Sequence, residues 1–193
     1  MKQALLFIGI FILMSTVFKK EKVYFPQTVL VSMTGKTVNF PKDAKGKYSV
    51  VFVALNQKGA DTMFTWVKPM YNALVMVKNN SAVLVEDQLD DNLYYIMAGK
   101  GVDRNISARV LDSLKKNHEM DIAENILYYG GVPDTLAASL KITQNDNLYG
   151  YVLNYNGVIV YGFSGGYTAA KWKAIKEILA DPDASSYDHQ YQK

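Results

Sequence analysis

The chain of 193 residues contains no cysteine. Without a thiol it can form no disulfide, no thiolate nucleophile, no cysteine-ligated zinc site and no lipid-modified cysteine. Histidine is scarce as well, since His118 and His189 are the only two in the chain. They lie far apart in the sequence, and we interpret both as solvated side chains. Thiol chemistry is therefore excluded, and neither a metal site nor a cofactor is predicted.

A strong excess of one charge is also lacking. The chain has 21 basic and 18 acidic residues, a net charge of +3. This balance is too mild to predict a nucleic-acid partner. In contrast, 49% of the residues are hydrophobic and 12% are aromatic, which is enough to build a folded core. The length suits one domain with short terminal segments.

The longest apolar run, Ala4–Phe18, lies between Met1-Lys2-Gln3 and the lysine-rich Lys19–Lys22. As a helix its 15 residues would span roughly 22 Å, less than the ~30 Å hydrocarbon core of a bilayer. We interpret residues 1–22 as a signal peptide or an N-terminal membrane anchor, with a buried helix as the remaining alternative. Residues 23–180 then form the domain, and 181–193 a disordered tail. Export to a periplasm or cell envelope, or tethering to a membrane (an organellar one included), is the expected location.

Two hairpins are predicted. Thr28–Met33 and Lys36–Phe40 flank Thr34-Gly35 near the N-terminus. In the C-terminal third, two runs rich in Val, Ile and Tyr flank Asn156-Gly157, a pair that tolerates the positive φ of tight turns. Thr168 is then a suitable N-cap for a helix that places Trp172, Ile175 and Leu179 on one face.

Between the hairpins, the continuous apolar run Tyr48–Leu55 predicts a strand that is buried on both faces of the sheet. A loop, 56–60, leads to a helix with Asp61 or Thr62 as its N-cap and with Pro69 as the cause of a kink. Its apolar stripe consists of Met63, Phe64, Val67, Met70, Tyr71 and Leu74.

After this helix the pattern predicts a parallel strand at Ser81–Val85 and a short helix at Leu93–Met97. A longer helix at Asn105–Asn117 and a strand at Glu124–Tyr129 follow. Pro133 then begins another helix that carries Leu136 and Leu140.

Three groups of side chains could suggest a site. Asp87, Asp90 and Asp91 lack the spacing of a calcium loop, and we interpret them as a solvated acidic turn. Gly162, Gly165 and Gly166 follow a hairpin strand and lack the lysine of a phosphate loop, so we assign them to turn geometry. The two tryptophans, Trp66 and Trp172, are predicted core residues.

Tyrosines crowd the last hairpin, at positions 149, 151, 155, 161 and 167. Tyr151, Tyr155 and Tyr161 share a sheet face in one register. They are either ordinary half-buried strand residues or an exposed recognition surface, because tyrosine is enriched at interfaces.

In this order, the elements from Thr28 to Leu179 resemble the redoxin, or peroxiredoxin-like, branch of the thioredoxin fold. The similarity is carried by Thr34–Pro41, by Lys45-Gly46-Lys47 and by Gly150–Ile159. It implies an α/β fold with three layers, a central mixed sheet and an N-terminal β-hairpin.

Within that branch, the C-terminal third resembles the mitochondrial ATP-synthase assembly-factor family. Asn147, Gly150-Tyr151-Val152 and Gly165–Ala169 match that family's pattern, whereas Val160-Tyr161 stands where the pattern has Arg-Trp. This resemblance implies a role in the assembly of a membrane complex.

The redoxin resemblance also implies where a reactive site would lie. Redoxins place their cysteine at the start of the kinked helix, which corresponds here to Gly59–Phe64, with Asp61 and Phe64 at the dithiol positions. The cis-proline of the fold would fall near Leu148-Tyr149, where no proline occurs. Both hallmarks of thiol-disulfide chemistry are absent.

We therefore predict a non-catalytic, cysteine-free redoxin-like domain that binds a protein partner, such as an assembly factor or accessory subunit of a membrane-associated complex. The alternatives are an enzyme with non-thiol chemistry that uses Lys58 or Asp61, and a purely structural exported domain. The partner surface is expected at the loops that follow the carboxyl ends of the strands. Its candidate residues are Asn56, Gln57, Lys58, Gly59, Asp61, Asn145, Asn147 and Tyr149.

The purified, metal-free protein should neither reduce insulin disulfides nor consume hydrogen peroxide above the buffer rate. Attack by a thiolate is the chemical step of both thiol-dependent reactions, and the chain has no cysteine. Standard turbidity and peroxide-consumption assays measure these two activities. Turnover that follows the protein through purification would contradict the prediction.

Overall fold

The computed structural model describes residues 22–75, 89–98, 116 and 122–181. Residue 116 lies in a helix. The rest of the predicted helix at 105–117, the predicted strand at 81–85 and both histidines lie outside the described residues. The same holds for the predicted leader up to residue 21 and for the tail from residue 182.

Seven strands form one mixed sheet in the order β2-β1-β5-β4-β3-β6-β7. β3 is parallel to β4 and β4 to β5, while the other neighbouring pairs are antiparallel. The strands are β1 Thr28–Ser32, β2 Thr37–Phe40, β3 Ser49–Ala54, β4 Asn92–Met97, β5 Ile126–Tyr129, β6 Leu148–Leu153 and β7 Ile159–Ser164.

Helices cover both faces of this sheet. Helix α1, Gln57–Met70, and helix α3, Ala169–Leu179, pack on one face, where Trp66 and Ile175 are completely buried. Helix α2, Pro133–Ser139, packs on the other face through Leu136 and Ala137. The arrangement is the predicted α/β fold with three layers, a central mixed sheet and an N-terminal hairpin.

Strand β3 is the centre of the sheet, and all six of its residues are buried. Alternate side chains point to opposite faces of a strand. Accordingly, Val50, Phe52 and Ala54 belong to the core under α1 and α3, while Val51 and Val53 belong to the core under α2. The continuous apolar run predicted this double burial correctly.

The β6–β7 hairpin turns at Asn156-Gly157 as predicted. Gly157 has a φ of +80°, a backbone conformation that residues with a side chain rarely adopt. Asn154 is buried, and its Oδ1 accepts hydrogen bonds from the backbone N–H of Asn156 and of Val158, at 3.0 and 3.1 Å. The turn is therefore held by a side chain as well as by the strand ladder.

The helical pattern changes directly after the predicted kink. Pro69 lies in the last turn of α1, and Tyr71–Val75 continues as a π-helical turn. Proline has no N–H to donate to the preceding turn, and irregular hydrogen bonding of this kind is expected beside it.

Residues 93–97 form a strand, so the prediction of a short helix there is wrong. They belong to β4, which pairs in parallel with β3, with Val51 opposite Tyr94 and Val53 opposite Ile96. β4 thus lies directly beside β3 in the sheet.

Tyr151 and Tyr161 do not share a sheet face. Gly162 lies opposite Tyr151, and Tyr161 lies opposite Val152. Tyr161 is therefore one residue away from the position opposite Tyr151, and its side chain points to the other face of the sheet. The two rings are consequently buried in the two different cores, and Tyr155 is 45% exposed in the turn. Strand register therefore gives Tyr151 and Tyr161 packing roles in the core.

Replacing Gly150 by alanine should destabilise the domain by about 1–3 kcal/mol, the usual cost of overpacking a core. A Cβ at this position would lie 2.0 Å from Cζ of Phe163. That ring cannot easily retreat, because it packs against Trp66 at 5.1 Å between centroids and against Phe52 at 5.9 Å. Chemical denaturation measures the loss.

Gly130→Ala is the matched control, since a Cβ there would have no neighbour within 4 Å. Equal stability of the two variants would show that the Phe163 ring moves freely and would refute this account of Gly150.

Candidate functional site

The two segments predicted to form the partner surface lie side by side, at the carboxyl end of β3. Ala54, the last residue of β3, pairs with Leu148, the first residue of β6. The residues that follow Ala54 therefore lie next to those that precede Leu148. Open α/β sheets place ligands at such an edge.

Asn56 is the N-cap of α1, so the prediction that Asp61 or Thr62 caps this helix is wrong. The helix begins at Gln57, and Oδ1 of Asn56 accepts a hydrogen bond from the backbone N–H of Gly59 at 3.0 Å. Residues 57–60 are therefore helical rather than a loop. Asparagine is as good an N-cap as aspartate. Asn56 also has the extended backbone that a cap requires, whereas Asp61 and Thr62 lie inside the helix.

Asp61 and Thr62 have local roles in α1 instead. The Asp61 carboxylate accepts a hydrogen bond from Nε2 of Gln57 at 2.8 Å, and the Thr62 hydroxyl donates to the backbone oxygen of Lys58 at 3.0 Å. Both bonds join residues one helical turn apart, so neither residue links α1 to another element through them.

Asp146, which lies within the predicted segment 145–149 but was not singled out as a candidate residue, links the two segments of the site. Its Oδ1 accepts a hydrogen bond from Nδ2 of Asn56 at 2.7 Å, and its Oδ2 lies 3.6 Å from Nζ of Lys58. Asp146 stands between the predicted Asn145 and Asn147, within a run of five polar residues, 143–147. That run was the only sequence signal for it.

A close backbone approach brings the segments together at Gly59. A Cβ on this residue would lie 3.0 Å from the backbone oxygen of Asn147. Glycine in the first turn of a helix is therefore explained here by space, because any side chain would press against the neighbouring loop.

The loop that carries Asn147 has its own internal bonds. The Tyr149 hydroxyl donates to the backbone oxygen of Gln144 at 3.1 Å and accepts from the Gln144 N–H at 3.3 Å. Nδ2 of Asn147 donates to Oε1 of Gln144 at 2.8 Å. Tyr149 and Asn147 thus shape the loop, while Asn145 lies exposed at its turn.

A cleft of about 460 Å³ opens beside this loop, on the face of the sheet that α2 covers. Its floor is formed by Tyr151 and by Gly162, which adds no side chain to it, and its rim includes Lys141, Gln144 and Ser164. An apolar floor with a polar rim is the usual composition of a small recognition site.

Lys58 and Asp61, the two residues considered for non-thiol chemistry, both lie at the surface. The side chain of Lys58 is 73% exposed and paired with Asp146, and Asp61 is exposed and bonded to Gln57. Catalytic groups usually lie in clefts that remove them from water. At the second dithiol position, Phe64 packs against the core.

Asp90 and Asp91 of the predicted acidic turn lie among the described residues, whereas Asp87 lies outside them. Asp90 forms an ion pair with the exposed Lys47, and no group of three ligating side chains among the described residues could hold a metal. The redoxin resemblance placed the cis-proline of the fold near Leu148-Tyr149. The cis peptide bond of this structure instead joins Phe40 to Pro41, near the other end of β3. Within the same described ranges, no helix is long and apolar enough to cross a membrane.

Solved structures share the fold of this chain. A thiol:disulfide interchange protein from Bacteroides sp. has a TM-score of 0.54 at 12% identity, and the alignment covers 86% of this chain and 94% of that one. BsSco, a member of the Sco family of cytochrome c oxidase assembly proteins, has a TM-score of 0.52 at 12% identity, with coverages of 86% and 96%. A DsbE-type thiol:disulfide interchange protein from Chlorobium tepidum has a TM-score of 0.53 at 11% identity, with coverages of 86% and 98%.

These likenesses define a thioredoxin-like fold of the redoxin type, without cysteine. At such low identity they concern the fold alone. No protein-family model matches the chain, and no curated protein matches its sequence. The resemblance of the C-terminal third to the ATP-synthase assembly-factor family finds no support in these comparisons.

Asn56→Ala should destabilise the domain by about 0.5–2 kcal/mol, the usual cost of a lost N-cap. Asp61→Ala should change stability by no more than about 0.5 kcal/mol, because it removes one exposed bond within the helix. Urea denaturation of the two variants beside the unchanged protein measures both effects. A larger loss of stability in Asp61→Ala than in Asn56→Ala would contradict this assignment and indicate Asp61 as the cap.

Proposed function

We propose that this protein is a non-catalytic binding domain, an assembly factor or accessory subunit of a membrane-associated complex. The observation that carries the proposal is the joining of two distant segments by Asp146 at the edge where this fold usually holds its reactive site. The edge is ordered by polar contacts and carries no thiol.

The proposed partner surface has two parts with different chemistry. Lys58, Asp61 and Asn145 are exposed on the outer side and offer charge and hydrogen bonds. The cleft beside Gln144 offers an apolar floor under a polar rim. Protein interfaces commonly combine a small apolar centre with a polar surround, and this surface has both.

The comparisons support the type of role. BsSco belongs to a family of cytochrome c oxidase assembly proteins, whereas the other two structures are thiol:disulfide interchange proteins. Interchange is itself a thiol reaction, which a chain without cysteine cannot perform. BsSco has a disulfide switch of its own, but the assembly of a complex is a binding role, and it is this role that we propose for the chain. An exported or membrane-tethered location is part of the proposal, because it would place the domain beside such a complex.

Capture from native membranes tests the proposal. Tagged full-length protein should recover the subunits of one recurring membrane complex, and Lys58→Glu should reduce that recovery by about tenfold or more. Reversing the charge of Lys58 breaks its ion pair with Asp146 and sets two carboxylates side by side in the surface, and like charges placed together at an interface cost several kcal/mol. Quantitative mass spectrometry measures the recovery.

Lys173→Glu is the matched control. Lys173 is as exposed as Lys58 and is also paired with a carboxylate, that of Glu177 at 3.8 Å, but it lies on α3. Its variant should retain the complex. Equal loss in both variants, or recovery of the chain alone, would refute the proposed surface.

A further inference from the structure

We infer that a second surface, at the amino end of β3, faces the anionic headgroups of a lipid membrane. This surface, called here the lysine-rich end, consists of Lys22, Tyr24, Val29, Lys42 and Lys45 and the cleft between them. It is separate from the partner surface of the proposed function and goes beyond it.

Backbone bonds place the start of the described chain at this end. The N–H of Ile159 donates to the oxygen of Val23 at 2.8 Å, and the N–H of Phe25 donates to the oxygen of Gly157 at 3.1 Å. Gly157 lies in the β6–β7 turn. That turn follows Leu153, which pairs with Ser49, the first residue of β3. Lys22 therefore lies beside the amino end of β3.

The lysine-rich end has a cleft with a mixed polar and apolar lining and with two exposed apolar residues at its border. The cleft measures about 620 Å³ and includes the rings of Phe25 and Phe40, whose centroids are 4.9 Å apart. Tyr24 is 58% exposed and Val29 is 60% exposed, and both line it. Tyrosine is enriched at the level of lipid headgroups, where its ring meets apolar chains and its hydroxyl meets water.

The charge of this surface is positive. Lys22, Lys42 and Lys45 are all exposed, and the cleft is lined by two of them and by no carboxylate. The neighbouring carboxylate is that of Asp43, which accepts a hydrogen bond from the backbone N–H of Asn39 at 2.7 Å. Asp90 and Asp91 also lie at the amino end of β3, just before Asn92, and Asp90 is paired with Lys47. The excess of positive charge is therefore that of the cleft, with Lys42 and Lys45, and of Lys22 beside it, and a positive cleft complements the negative surface of a bilayer that contains anionic lipid.

The preceding sequence indicates the occupant. The apolar run Ala4–Phe18 ends four residues before Lys22, and Lys19 and Lys20 lie between them. If this run enters a bilayer, the chain leaves the lipid close to Lys22 and holds the lysine-rich end near the headgroups. A lipid surface therefore fits this end better than a protein partner does.

This orientation would direct the partner surface away from the membrane. β3 has six residues, and a strand rises about 3.3 Å per residue, so its two ends are roughly 20 Å apart. The partner surface lies at the carboxyl end and the lysine-rich end at the amino end. A tethered domain would then present Lys58 and Asn145 to a complex that projects from the bilayer.

The absence of cysteine allows a direct test with the full-length chain. Asn156→Cys places one thiol at the lysine-rich end, and Lys58→Cys places one at the partner surface. Each variant is labelled with the same environment-sensitive fluorophore and reconstituted into phosphatidylcholine vesicles with or without phosphatidylglycerol. Spin-labelled lipid then quenches any fluorophore that lies close to the bilayer.

Quenching at position 156 should exceed quenching at position 58 several-fold in the anionic vesicles. It should fall when Lys42→Glu and Lys45→Glu are added and when the salt concentration is raised, because screening weakens exposed charges. Equal quenching at both positions, stronger quenching at position 58, or no dependence on phosphatidylglycerol would each overturn the inference. None of these outcomes bears on complex capture, so the two proposals fail separately.

Discussion

The burial of β3 on both faces is the constraint on which the rest of this structure depends. A strand without a polar side chain at Val50–Ala54 is stable only if helices cover the sheet above and below it, and here α1 and α3 cover one side while α2 covers the other. Pairing with β3 also fixes the positions of the two neighbouring strands, β4 and β6. β4 pairs with it in parallel and β6 antiparallel, so the loop after β3 must meet the loop before β6.

The contact between these two loops explains why Asn56 and Gly59 stand at the start of α1. Gly59 is a poor helix former, yet it stands in the first turn, because the backbone oxygen of Asn147 lies where a side chain would be. Asn56 serves two elements, since its oxygen caps α1 and its amide group donates to Asp146. A single short sequence is thus adapted to the helix that it begins and to the loop beside it.

The sequence predicted those elements whose signals are local. The Asn-Gly turn of the last hairpin, the Thr168 cap, the Pro133 start of α2 and the apolar run of β3 are each contained in a few adjacent residues. β4 was missed because a short apolar run has no clear period, and only its parallel pairing with β3 makes it a strand. The tyrosine faces depended on a register that no local pattern specifies.

For the candidate site, the sequence predicted that the two segments lie together at one edge of the sheet, but not the contacts between them. The resemblance to redoxins indicated which two segments would lie together. The start of α1 was placed five or six residues late, because Asn-Gln-Lys-Gly has the composition of a loop and its helical state depends on the cap at Asn56. Asp146 could not be distinguished from its polar neighbours, since its role depends on a partner 90 residues away.

The loss of sulfur chemistry and the persistence of the edge belong together physically. In a redoxin the start of this helix must leave its thiol accessible, which limits how closely the opposite loop can approach. With Asp61 and Phe64 at the dithiol positions, that limit is removed, and the loop of Asp146 packs directly against Asn56, Lys58 and Gly59. The space that a reactive site would require is occupied by polar contacts between two segments. Contacts of this kind fix the two segments relative to each other, and a surface that is fixed beforehand loses less conformational entropy when a partner binds.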